Sequence, residues 1–113
     1  MSTLPTPLET EVHELHAGLC SALADPKRLM ILYALNGGAQ SVGDLAQRLG
    51  LPQPTTSRHL KILRDRGLVS PQRAGASVIY SLNDVRLIEA LDLLRSVMRD
   101  IYHRAAAVVN QAD

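Results

Sequence analysis

Apolar residues recur along the chain in helical runs broken by Pro, Gly and Asn, with one alternating stretch between them. Leu8, Val12, Leu15, Leu19 and Ala22 fall at steps of four and three, which places them on one stripe of an N-terminal helix. Asp25-Pro26 ends that run and suits the N-cap and first position of a second helix, carried by Leu29, Ile31, Leu32 and Leu35. Asn36-Gly37-Gly38 stops it. Ser41 through Asp44 reads as a variant capping box, with Asp in place of Glu or Gln, opening a third helix. Val42, Leu45, Ala46 and Leu49 form its buried face, and Gly50 ends it. After the turn at Leu51-Pro52, a fourth helix is predicted from about Gln53 to Arg66, with Gly67 as its stop.

Leu68 to Arg73 and Ser77 to Leu82 flank Ala74-Gly75-Ala76 and are rich in β-branched and aromatic residues, so they read as a β-hairpin. Pro71 makes the first strand short or an edge. A last helix starts near Asn83 or Asp84. Its Leu87, Leu91, Leu94, Met98, Ile101, Ala105 and Val108 form a heptad seam. Either the chain's own first helix or a second copy covers that seam, and the second copy is favoured because an exposed apolar stripe marks an association site. The dimer interface is therefore placed on Leu8, Val12, Leu15, Leu19, Leu87, Leu91, Leu94, Met98 and Ile101.

The fold class that follows is mainly α with a β-hairpin wing: a winged helix-turn-helix of about five helices, dimeric through its N- and C-terminal helices. A length of 113 residues fits one domain over residues 1–113. Within it, segments 1–24 and 84–109 are the dimerisation helices, 41–66 the helix-turn-helix and 68–82 the wing. No apolar run is long enough to span a membrane, and Met1 to Pro7 has neither the basic nor the apolar part of a signal peptide. A single cysteine, Cys20, forms no internal disulfide, so a reducing cytoplasm is expected.

Charge sharpens this picture. The net charge is only +1, but residues 41–80 carry six Arg or Lys against two Asp, and the flanks are acidic. A basic centre on a neutral or acidic scaffold is the pattern of a segment that meets nucleic acid. On the fourth helix, Thr56, His59, Leu60, Leu63 and Gly67 share one face. Pro54, Thr55, Arg58, Lys61 and Asp65 lie opposite, with Ile62 beside them. The second face suits the major groove. Arg58 can pair with a guanine edge or a phosphate, and Gln53 with an adenine. Thr55 and Thr56 offer hydroxyls or a methyl, and Ser57 and Lys61 suit phosphates. Arg73 near the hairpin tip can reach the minor groove or a phosphate. His59 faces inward as a packed, hydrogen-bonded side chain.

Three blocks carry a family resemblance: Ala24 to Leu32, Ser41 to Ala46, and Gln53 to Leu63 continued by Gly67-Leu68-Val69. Together they resemble the ArsR/SmtB family of bacterial repressors over about residues 15 to 105. The resemblance implies a homodimeric winged helix that represses at an imperfect inverted repeat of double-stranded DNA and, in many members, lets go when an inducer binds. Pro52 departs from the serine N-cap common there.

Many such relatives sense metals or persulfides, but the positions concerned carry other residues in this chain. Ser41 and Gly43 stand where the third-helix thiolate site has cysteines. Arg86 and Val97 replace the two histidines of the last-helix zinc site, leaving Asp84 and Asp100. Tyr33 stands where the persulfide branch has its first cysteine, and the last helix has none. No cofactor is implied with any force.

One constellation remains for a transition metal: His13, His16 and Cys20 at i, i+3 and i+7 on the first helix, with Glu9 or Glu14 to assist and His103 from the last helix if the two meet. A metal-responsive repressor using these residues, or a redox switch at Cys20, is the alternative to a regulator of unspecified signal. A winged helix used only for protein assembly is the second, and it would need neither the Thr55-Arg58-Lys61 face nor the basic centre. An enzyme is excluded by the lack of a phosphate loop, paired carboxylates or a convincing nucleophile–base pair.

Overall fold

The computed structural model describes residues 6–111; the ends of the expected domain, residues 1–5 and 112–113, including most of the segment read for a leader, lie outside the described residues. The chain divides into two compact units, one up to Asn83 and one from Asp84 onward.

In the first unit, α1 (Pro7–Leu15) is capped by the Thr6 hydroxyl, which accepts from the Glu9 amide at 3.1 Å. It runs on into a π-helical turn, His16–Cys20, which the 3.6-residue spacing did not predict. The Ser21 hydroxyl donates back to the Ala17 and Gly18 carbonyls there, so side chain and backbone compete for the same acceptors. A π turn advances each residue by less than the about 100° of an α-helix. The face expected to hold His13, His16 and Cys20 is therefore broken between the second and third of them.

Helix α2 (Pro26–Asn36) begins as the sequence dictates, with the Asp25 carboxylate accepting from the Lys27 amide at 2.8 Å and Pro26 in the first turn. Ile31, Leu32, Ala34 and Leu35 are buried. A two-residue strand β1 (Gln40–Ser41) leads into α3 (Val42–Leu49), where the Ser41 hydroxyl accepts from the Asp44 amide. Helix α4 (Gln53–Asp65) follows after a short turn.

Both helices of this pair stop in the same way. Gly50 (φ +66°) lets the Leu51 amide donate back to Ala46 and its own amide to Gln47, and Gly67 (φ +78°) does the same with Leu68 on Leu63 and its own amide on Arg64. These are Schellman caps, and the left-handed residue is glycine because a Cβ is disfavoured there. Gly67→Ala is expected to lower unfolding stability by about 1–2 kcal/mol, read as a shift in urea midpoint with an unchanged slope.

The wing is an antiparallel hairpin of β2 (Val69–Ala74) and β3 (Ser77–Leu82), and β1 pairs with the other side of β3. Its turn is Gly75-Ala76, with Gly75 at φ +64° and Ala76 at an ordinary φ, the pattern of a type II′ turn. Strand β2 is the sheet edge, so Pro71, paired with Tyr80, needs no outer partner. Ser70 donates to the Asn83 side chain at 2.6 Å, and Asn83 donates to the Gly67 carbonyl, which ties both strands of the wing to the end of α4. Leu45, Leu60, Leu63, Val69 and Tyr80 join the α2 residues in the core. Each large apolar side chain so buried stabilises the fold by about 1.5–3 kcal/mol.

The second unit is a single long helix, α5 (Arg86–Gln111), led in by Asp84, whose carboxylate accepts from the Arg86 amide. No helix among the described residues is long and apolar enough to cross a membrane.

Candidate nucleic-acid interface

Helix α4 presents two faces of opposite character. Inward, Thr56, His59, Leu60 and Leu63 are buried. Outward, Gln53, Pro54, Ser57, Arg58 and Lys61 are exposed, while Thr55 and Ile62 are half-buried. Among the described residues neither Arg58 nor Lys61 has a carboxylate within ion-pairing distance, whereas Arg28, Arg64, Arg86 and Arg95 do. Two positive charges therefore stand on one exposed face without counter-ions, the state in which phosphates bind with the least competition.

Thr56 corrects the sequence reading. It is 0% exposed, and its hydroxyl donates to the Pro52 carbonyl at 3.1 Å, so it locks the first turn of α4 from within and has no surface to offer a base or phosphate. The helical wheel had already put it on the inner face; short polar type was the misleading signal.

The start of α4 is settled by Pro52, which takes the N-cap place with extended dihedrals and makes no side-chain hydrogen bond. A proline cannot cap the first-turn amides. The N–H groups of Gln53 and Thr55 therefore keep their capacity to donate outward, at the positive end of the helix dipole. Gln53 also approaches α3: a Cβ placed on Gly43 would lie 3.9 Å from its Oε1. Gly43, Ser41 and Gln53, with Ala76 and Ser77 from the wing, line an open cleft of about 360 Å³, which sets the wing tip beside the start of α4. Arg73 is exposed on β2, opposite Val78 and one step from the tip.

Behind this face, His59 is held by Arg28, whose Nη1 lies 3.2 Å from His59 Nδ1. Burial pushes the imidazole below the ordinary histidine value; Asp25 opposes this, and Arg28, Arg58 and Lys27 add to it. The unfolded chain therefore binds a proton here more readily than the folded one. The stability from the neutral ring is complete above about pH 6.5 and is lost as pH falls through the lowered folded value. The melting temperature is expected to fall on acidification below about pH 6.5, and His59→Asn to flatten that fall.

The metal positions implied by the resemblance do not fit a metal. The Ser41 hydroxyl is engaged with the Asp44 amide, and Gly43 has no side chain. Asp84 is gripped by Arg86 at 2.7 Å, which pulls its carboxyl down to about 2. His13, His16, Cys20 and His103 are all exposed, and among the described residues no three His, Cys, Asp or Glu side chains converge within one chain.

The expected dimer residues divide. Leu8, Val12, Leu15, Leu94, Met98 and Ile101 are exposed; Leu19 and Leu87 are half-buried. Leu91, also placed in that interface, is 7% exposed. Val108 of the heptad is exposed as well, and Leu93, Val97, Tyr102 and Val109 extend the exposed apolar surface of α5 beyond the strict heptad.

Comparison with known proteins decides what this architecture is. The model of the family described as bacterial regulatory protein, arsR family, matches residues 25–70. The HTH-type transcriptional regulator NmtR of Mycobacterium tuberculosis is 43% identical over 86 residues, 76% of this chain and 72% of that protein. The chain belongs to the arsR family of bacterial regulatory proteins. The chain is also similar to the crystal structure of the transcriptional repressor BigR from Xylella fastidiosa, with a TM-score of 0.70 at 33% identity over 80% of this chain and 91% of that one. The fold is also that of a homodimeric winged helix-turn-helix DNA-binding domain from Mycobacterium bovis, with a TM-score of 0.74 at 24% identity over 91% and 95% of the two chains. As an arsR-family member the protein is a transcriptional regulator and not an enzyme.

Proposed function

We propose that this regulator is a cytoplasmic repressor that binds an inverted-repeat operator as a homodimer, with one α4 in the major groove of each half-site. The observation that carries the reading is the division of α4: an inner face fully committed to the core and an outer face with Arg58 and Lys61 unpaired. Arg58 reads a guanine edge or anchors on a phosphate, and Gln53 and Thr55 contact bases near the helix start. Ser57 and Lys61 take phosphates, and Arg73 brings the wing to the backbone or minor groove. The exposed apolar side chains of α1 and α5 supply the dimer contact, as exposed apolar stripes do in associating proteins. Repression and pairing are also what the names of the Xylella and Mycobacterium bovis proteins say of those proteins.

Metal control of such binding would need ligands from more than one protomer, since His13, His16 and Cys20 do not converge within one chain. The test is selection of bound fragments from the source genome. Enriched fragments should share an inverted repeat with half-sites about one helical turn apart and should hold two protomers each. Fragments without paired half-sites, or binding by one protomer, contradict the reading.

A further inference from the structure

Three segments meet at one guanidinium. Arg28, in the first turn of α2, donates through Nε to the Ala22 carbonyl at 2.6 Å and through Nη2 to the Ser21 carbonyl at 3.3 Å, both just beyond the π-helical turn of the first helix. Its Nη1 reaches His59 Nδ1 on the inner face of α4 at 3.2 Å. Asp25, the cap of α2, stands 3.9 Å away as counter-ion. A guanidinium has five N–H donors and no acceptor, so the Arg28 contact requires a lone pair on Nδ1. The ring is therefore neutral, with its proton on Nε2.

We propose that Arg28 and His59 are the positioning residues of the DNA-reading helix: Arg28 fixes α4 against the end of the first helix, and the protein binds DNA tightly only while His59 is neutral. This inference rests on α4 being that helix. A protonated ring would set an N–H donor against a cationic donor in a buried place. The charged groups facing it are Asp25, Lys27 and Arg28 from α2 and Arg58 from α4 itself, while the Ser21 and Ala22 carbonyls face Arg28 from the end of the first helix. One carboxylate faces three cations, so the Arg28–His59 contact breaks and α4 loses a charged anchor to α2. Burial, which already holds the ring neutral, works in the same direction. Because the guanidinium also holds the Ser21 and Ala22 carbonyls, a change in the first helix reaches α4 through the same side chain.

The test measures affinity for a selected duplex by fluorescence anisotropy at constant salt, from about pH 8 to about pH 5.5, for wild type, His59→Asn and Arg28→Lys. The asparagine amide oxygen replaces the Nδ1 acceptor and does not titrate. Wild type should weaken about tenfold or more on acidification, the scale of a lost hydrogen bond to a charged group. His59→Asn should bind within about threefold of wild type at pH 8 and show no acid weakening. Arg28→Lys, unable to span three acceptors, should already be about tenfold weaker at pH 8. Imidazole ¹⁵N NMR of the wild type, which needs no variant, should show the Nε2–H tautomer at pH 8. A shared pH profile for wild type and His59→Asn, or an Nδ1–H tautomer, overturns the positioning role while leaving DNA binding intact. Absence of DNA binding by wild type at pH 8 overturns both.

Discussion

With Met98→Glu and Ile101→Glu introduced together, the protein is expected to sediment as a monomer and to lose about 100-fold or more in affinity for a two-half-site duplex. Both side chains are exposed in the single chain, at 44% and 51%, so neither substitution removes a core contact. Glutamate is a good helix former, and α5 keeps its backbone. The effect falls on association: two carboxylates per protomer would have to be buried in an apolar contact without partners. Once the protomers separate, each half-site is bound alone, and the gain of about 10²–10⁴ from linking two binding events is lost. Circular dichroism and the melt of the variant check that the fold survives. A variant that stays dimeric with unchanged DNA affinity moves the interface away from this part of α5.

The second large effect is expected at Arg58. Arg58→Ala should weaken operator binding by about 2–6 kcal/mol, because a base-reading arginine is worth about 1–3 kcal/mol and the dimer uses two. Stability should be unchanged, since the side chain is exposed and unpaired. Lys61→Ala separates reading from holding. It should weaken all duplexes alike and reduce the salt dependence by about one ion per protomer, with no change in sequence preference. Titration of Arg58→Ala against single-base variants of the operator reads the difference: discrimination should relax at one symmetric pair of positions. Equal loss on every sequence would reassign Arg58 to a phosphate.

Much of this was legible from residue order because several local rules agree. Asp25-Pro26, Ser41, Gly50 and Gly67 each have one role they fill well, and the structure uses them so. Pro71 announced an edge strand, and β2 is one. The 3.6-residue wheel separated His59, Leu60 and Leu63 from Arg58 and Lys61.

What was not legible depends on contacts distant in sequence or on departures from ideal geometry. The π-helical turn at His16–Cys20 has no periodic signature, so the face it disrupts looked continuous. Strand β1 is two residues long and exists only because β3 offers it an edge. Thr56 was judged by its hydroxyl, whereas the Pro52 carbonyl already accepts that hydroxyl. Arg28 lies 31 positions from His59, and only the fold brings them together.

The most direct measurement of the central claim is the affinity of the wild-type dimer for a selected inverted-repeat duplex and for a scrambled one, across salt concentration. The account predicts binding to the repeat about 10³-fold or more tighter than to the scrambled duplex. It also predicts a linear fall of log affinity with log salt, with a slope of about −4 for phosphate contacts from Lys61 and Arg73 of two protomers. No binding to either duplex at low salt, or equal binding to both with no salt dependence, would contradict it.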